Sequence, residues 1–176
     1  MNLWHDIEPG VRDEINVIIE TPRGSHNKYE IDKETGLIKL DRANYGSAPY
    51  PFDYGFVPKT YWEDGDALDV ILLSTFPVHP GILVAARPIA LMEMTDDGDP
   101  DSKIIAVPAK DRRWDDVQDV TDLRKHNLTE YKHFFETLKQ LKATPAVVTV
   151  HGFKGANEAK DAFDHGIELY KKEFNK

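Results

Sequence analysis

From Glu14 onward the chain alternates short apolar runs, rich in β-branched and aromatic residues, with clusters of Gly, Pro, Asn and Asp. The runs "INVIIE", "KYEID", "LIKLD", "DVILLS", "GILVAARPIALMEM" and "KIIAVPA" are each bounded by turn residues, which predicts a series of closely spaced strands. The Glu34–Thr35–Gly36 corner between "KYEID" and "LIKLD" predicts a hairpin loop in which Gly supplies the positive φ. Strands at this spacing point to a small barrel or sandwich. In the last third the period changes. Leu128, Tyr131, Phe134, Phe135, Leu138 and Leu141 recur at steps of three and four, the stripe of an amphipathic helix, with Asn127 placed to cap it and Glu130 at the capping-box position. "AVVTVHGF" then predicts one more strand, and Ala156 to Phe174 a C-terminal helix. The pattern contains no repeat, low-complexity tract or linker, so one α+β domain over residues 1–176 is expected.

Composition removes several chemistries. The 176 residues include no Cys, which excludes thiol nucleophiles, thiolate zinc sites and thiol redox chemistry. The start "MNLWHDIEPG" lacks a basic and apolar leader, and no run approaches the ~20 apolar residues of a membrane span, so a soluble cytoplasmic protein without a membrane partner is expected. The formal charge of -9, from 22 Lys and Arg against 31 Asp and Glu, argues against nucleic acid bound through a broad basic surface.

The placement of the acids is more informative than their sum. In "EDGDALDVILL", Asp64, Asp66 and Asp69 fall at i, i+2 and i+5. A continuous strand would turn Asp69 away from the other two, whereas a turn at Gly65 lets all three converge. Converging carboxylates raise one another's pKa unless a cation joins them. A second cluster, "TDDGDPDSK", spans Thr95 to Lys103. Neither is an EF-hand loop: counted from Asp97, Ser102 stands where Gly is required and Pro108 where the bidentate Glu belongs, and counted from Asp64, position five is Leu68. All-oxygen donors indicate a hard cation, Mg²⁺ or Ca²⁺. Lys28, Arg42, Lys103 and Lys139, with Tyr45, Tyr50 and Tyr54 in "YGSAPYPFDYGFVP", are candidates to hold an anion beside such a metal.

Taken in order, "VIIETP", "KYEID", "LDR", "PYPFDYGFVP", "EDGDALDVILL", "RPIALMEMTDDGDPDSK", "IAVPAKD" and "HFFETLK" resemble family I soluble inorganic pyrophosphatase of the bacterial and archaeal type over nearly the whole chain. The resemblance implies a five-stranded OB-like β-barrel flanked by two main helices. It also implies a homo-hexamer and hydrolysis of pyrophosphate to two phosphates with roughly three or four Mg²⁺ ions, Mn²⁺ or Zn²⁺ being substitutes. On this resemblance Asp64, Asp69 and Asp101 hold the metals that share the attacking water, and Asp66 is its general base. Asp96 with Asp101, and Glu20 with Glu30, serve further metals, with Asp97 supporting that shell. Lys28 and Tyr54 grip the phosphoryl group under attack, Arg42 and Lys139 grip the leaving phosphate, Lys103 lies at the same site, and Tyr50 stands behind them.

The chain departs from the family pattern at Ala67, where Pro or Glu is usual, and at Leu138, where a tyrosine normally precedes the helix lysine. Asp53 and Asp97 replace the more familiar Asn and Glu. Two competing readings follow: a catalytically weakened homologue acting as a metal- and phosphate-binding module, and a nucleotide-sugar enzyme using Asp64–Gly65–Asp66 as a D-x-D motif. The second is opposed by the lack of a nucleotide-binding α/β pattern.

Overall fold

A computed structural model describes residues 1–174. Ten strands and two α-helices follow in the order β1 (Gly10–Val11), β2 (Glu14–Thr21), β3 (Asn27–Ile31), β4 (Ile38–Ala43), β5 (Asp53–Phe56), β6 (Asp69–Leu72), β7 (Leu83–Asp96), β8 (Asp99–Pro100), β9 (Lys103–Pro108), α1 (Lys125–Leu138), β10 (Val148–Lys154) and α2 (Ala156–Phe174). Strand β2 pairs with β5, β5 with β6, β6 in parallel with β9, β9 with β7, and β7 returns to β2 through Leu83–Ala86. Five strands thus close into a ring, the expected OB-like arrangement. The length of β7, 14 residues, makes closure possible: its first part pairs with β2 while Leu91–Asp96 pair with β10 outside the ring. Pro88 cannot donate to a ladder, and the β7–β9 register shifts between Pro88 and Ala90.

Alternation along the ring strands feeds two cores. Ile71, Ile105 and Val107 pack with Tyr131, Phe134 and Phe135 of α1, whereas Val70, Leu72, Ile104 and Ala106 pack with Ala159, Ala162 and Phe163 of α2. Each fully buried large side chain contributes about 1.5–3 kcal/mol, so β6 and β9, apolar on both faces, anchor both helices. At Gly55 of β5 an added Cβ would run into the Ile18 carbonyl oxygen of β2, so this crossing requires glycine. The hairpin β3–β4 forms a separate sheet, tied to the end of β2 by Thr21, whose hydroxyl accepts from Tyr29 N at 3.0 Å. Its loop turns at Gly36, φ +72°, as the Glu34–Thr35–Gly36 corner predicts.

The first helix differs from its prediction at both ends. It begins at Lys125 after an extended Arg124 that makes no side-chain cap, so Asn127 lies within the first turn, and Glu130 approaches His126 at 3.4 Å instead of capping. It stops at Leu138, leaving Leu141 outside the helix and 72% exposed. The C-terminal helix occupies the predicted span. Among the described residues no helix is long and apolar enough to cross a membrane.

Candidate active site

The acidic loop before β6 is a turn made by Gly65, φ +88°, with Trp62 N donating to Asp66 O at 2.7 Å and Asp66 N to Asp64 Oδ1 at 3.1 Å. It leaves Asp64 and Asp66 on the loop and Asp69 at the first position of the strand, the geometry that lets the three meet. The second cluster is a tight hairpin. Asp97 and Gly98, φ +49° and +88°, form a two-residue turn that pairs Asp96 with Asp99. Asp101 then leads into Lys103 at the start of β9.

Two adjoining cavities result. One of about 370 Å³ is lined by Asp64, Asp66, Asp69, Asp96 and Asp101 together with Lys28, Arg42, Tyr50, Tyr54, Lys103 and Lys139. The other, about 460 Å³, contains Glu20 and Glu30, and Lys28, Tyr54, Asp66 and Asp69 form the wall shared by both. The candidate residues named from the sequence therefore come together, with the two glutamates on the far side of that wall, except Tyr45, which lines neither cavity.

Lys28, Arg42, Lys103 and Lys139 each have a carboxylate partner. Buried Lys103 bridges Asp69 at 2.7 Å and Asp101 at 2.8 Å. Lys28 contacts Glu30 at 2.8 Å and Asp41 at 3.4 Å, Arg42 contacts Asp41 at 2.6 Å, and Lys139 pairs with Asp96. Tyr54 donates to Asp69 at 2.5 Å, and Glu20 accepts from Ile31 N at 2.7 Å. The Arg42 Nε is buried without a partner, and its guanidinium lies over the Tyr45 ring at 5.2 Å.

Protonation follows burial and crowding. Burial, then the charges of Asp69 and Asp101, push Asp64 up to about 7, and burial with Asp69 pushes Glu20 up to about 8. Burial raises Asp101 as well, despite Lys103. Burial and Asp69 hold Tyr54 well above the usual phenol value, so it stays a donor, and burial pushes Tyr50 up to about 12. For Lys103, burial pulls downward but Asp101 and Asp69 outweigh it, so it remains charged. For Lys28, burial is likewise outweighed by Glu30 and Asp41, and its pKa is raised.

The first cavity is lined by seven aspartates against five lysine and arginine side chains, and the donors are all oxygen. That chemistry fits hard divalent ions. Among the described residues no three acidic or histidine side chains already stand as a chelating cluster, so metal binding requires carboxylates now turned to lysines to turn to the ion. Sequence reasoning missed Lys33, which reaches from the β3–β4 loop to pair with Asp66 and donates to Gly65 O at 3.1 Å. It also missed Asp41, the shared partner of Lys28 and Arg42, and Lys142, which lines the first cavity.

The departures have physical settings. Leu138 is half-buried beside Lys139 and presents an apolar wall to the first cavity. Ala67 is buried against Trp4, Ile18, Phe56 and Tyr170. Asp53, 1% exposed, accepts from Arg23 N at 2.7 Å, from the Ser74 hydroxyl and from Val78 N at 3.3 Å, so both its oxygens are used. Asp97 accepts from Val147 N at 2.7 Å and its own N–H donates to Val147 O at 2.8 Å, which ties its carboxylate to the start of β10.

A five-stranded ring whose loops interleave carboxylates with lysine, arginine and tyrosine over one cavity has the layout of a hydrolase site for a phosphorylated anion. Comparison with known proteins agrees. The inorganic pyrophosphatase family model matches residues 17–171. The inorganic pyrophosphatase of Haloferax volcanii is 43% identical over 99% of each chain, and that of Halobacterium salinarum 45% identical over 98% of each. The crystal structure of the Thermus thermophilus enzyme superposes with a TM-score of 0.93 at 42% identity, covering 97% of this chain and 99% of the other. The chain belongs to the inorganic pyrophosphatase family, and its enzyme class is inorganic diphosphatase, a phosphoric anhydride hydrolase.

Proposed function

We propose that this protein hydrolyses inorganic pyrophosphate to two phosphates by a multi-Mg²⁺ mechanism with Asp66 as general base. The observation that carries the reading is the convergence of Asp64, Asp66, Asp69, Asp96 and Asp101 with Lys28, Arg42, Tyr54, Lys103 and Lys139 on one cavity. Bound Mg²⁺ supplies a more acidic water and neutralises charge on the phosphoryl oxygens. Asp64, Asp69, Asp96 and Asp101 are the ligands that would hold it, with Glu20 and Glu30 serving from the second cavity.

The chain's own groups do the rest. Asp66, released from Lys33, accepts the proton of the attacking water. Lys28 and the Tyr54 hydroxyl orient the phosphoryl group under attack, since both stand on the wall common to the two cavities. The Arg42 guanidinium and the Lys139 ammonium hold the leaving phosphate and offset the charge that builds on it. Lys103, enclosed between Asp69 and Asp101, offsets their charge from behind the cavity. Family likeness further supports Mg²⁺ as the working metal, a homo-hexamer, and service in cytoplasmic phosphate metabolism.

A second reading, a binding module with weakened turnover, is favoured by Leu138, which offers no donor to the cavity. Phosphate release from pyrophosphate, measured with and without Mg²⁺ for the wild type and Asp66→Asn, separates the two. Fast Mg²⁺-dependent release lost in the variant supports the enzyme. A folded wild type that binds pyrophosphate without releasing phosphate supports the module.

A further inference from the structure

The cations of the first cavity are committed to carboxylates with one exception. Lys28, Arg42, Lys103 and Lys139 all have acidic partners, whereas Lys142, which lines the same cavity, forms no ion pair or side-chain hydrogen bond among the described residues. Its position is defined by the backbone. After α1 ends, Lys142 N donates to Lys139 O at 3.3 Å, so the chain folds back and carries both lysines to one cavity while Leu141 between them is 72% exposed. The far end of this segment is held by the reciprocal bonds of Val147 with Asp97, at 2.7 and 2.8 Å. The wall beside Lys139 is Leu138, which has nothing to donate.

We infer that Lys142 is a substrate-binding residue, its ammonium contacting the outer phosphate of pyrophosphate at the wall where Leu138 supplies no donor. This rests on the proposed function, since it assumes pyrophosphate in this cavity. Because Lys142 is exposed and has no ion-pair partner among the described residues, it loses little hydration and breaks no existing pair on contact. An exposed cation of this kind acts on capture of the anion, so its effect falls on KM and its salt dependence while the chemical step is left to the buried groups.

The test is steady-state hydrolysis of pyrophosphate in Mg²⁺ by the wild type, Lys142→Met, Lys142→Glu and Lys142→Arg. The expected result is a KM raised about three- to tenfold in Lys142→Met and further in Lys142→Glu, with kcat within about twofold. Lys142→Arg should recover most of the loss, and KM of Lys142→Met should depend less steeply on ionic strength. A Lys142→Glu variant with the wild-type KM would overturn the inference. If the wild type released no phosphate, the proposed activity would fail by itself. Calorimetric titration of pyrophosphate into the wild type and Lys142→Glu would then still read the contact, equal Kd values refuting it and a weakened Kd in the variant supporting it.

Discussion

Lys103 Nζ lies 2.7 Å from Asp69 Oδ2, with only 3% of the lysine side chain exposed. It lies 2.8 Å from Asp101 as well, so a single enclosed ammonium is shared by carboxylates from β6 and from the loop before β9. Removing it strands buried negative charge. Lys103→Met should lower stability by about 3–5 kcal/mol in metal-free buffer. Added Mg²⁺ should restore part of that, because divalent ions can neutralise the same oxygens. Urea denaturation with and without Mg²⁺ reads the difference; an equal loss in both would assign Lys103 a packing role.

At Leu138 the helix offers the cavity a methyl group where its neighbour Lys139 offers a charge. Installing a phenol there should tighten the hold on the leaving phosphate. Leu138→Tyr is expected to change KM or kcat for pyrophosphate favourably by about tenfold, the worth of one added hydrogen bond to a charged group. Unaltered values of both would mean that Leu138 serves only to pack beside Phe134 and Phe135.

Asp97 occupies a left-handed turn position and accepts from Val147 N, so its carboxylate acts on the backbone of the next strand. Asp97→Ala should cost about 1–3 kcal/mol by removing a charge-assisted bond and placing Ala at positive φ, while Asp97→Asn, which keeps an acceptor and tolerates positive φ, should cost much less. Thermal unfolding of the two variants decides it, and equal losses would refute the assignment.

His5 links the N-terminal segment to α2: its Nδ1 is 2.7 Å from the Tyr170 hydroxyl, its ring stacks on Trp4 at 4.7 Å, and Phe174 meets it edge-on at 5.0 Å. Burial lowers its pKa below 6.5, the nearby Asp6 opposing this only in part. The unfolded chain therefore binds the proton more readily than the folded one. The contribution of His5 to stability should be complete above pH 6.5 and be lost as pH falls from there through the folded value. His5→Phe should remove that slope, which denaturation midpoints between pH 5 and 8 would detect; an unchanged slope would clear His5 of the effect.

Much of this protein is readable along the chain. Apolar β-rich runs and turn residues marked β2, β6, β7 and β9 of the ring, and the stripe through Tyr131, Phe134 and Phe135 marked α1, whereas β5, set in the Pro- and Gly-rich tract "YGSAPYPFDYGFVP", was not marked and is a strand only through its pairing with β2 and β6. The ends of α1 were less legible. Arg124 and Lys139 bound the helix through backbone conformations that their side chains do not announce. The acidic clusters were legible as groups that would converge, since a turn at Gly65 was enough to bring Asp64, Asp66 and Asp69 to one cavity.

Pairing across elements was decided only by the tertiary structure. Ring closure depends on β7 reaching both β2 and β9, a long-range match that no local window contains. Lys103 lies next to Asp69 because β9 runs parallel to β6, and Lys33 meets Asp66 because the β3–β4 loop overhangs the acidic turn. The sequence determined which elements form and which chemical groups they carry, through interactions of short range along the chain. Which groups share a proton, a charge or a cavity was left to strand register and loop placement, since electrostatic coupling depends on distance in space and not on separation in sequence.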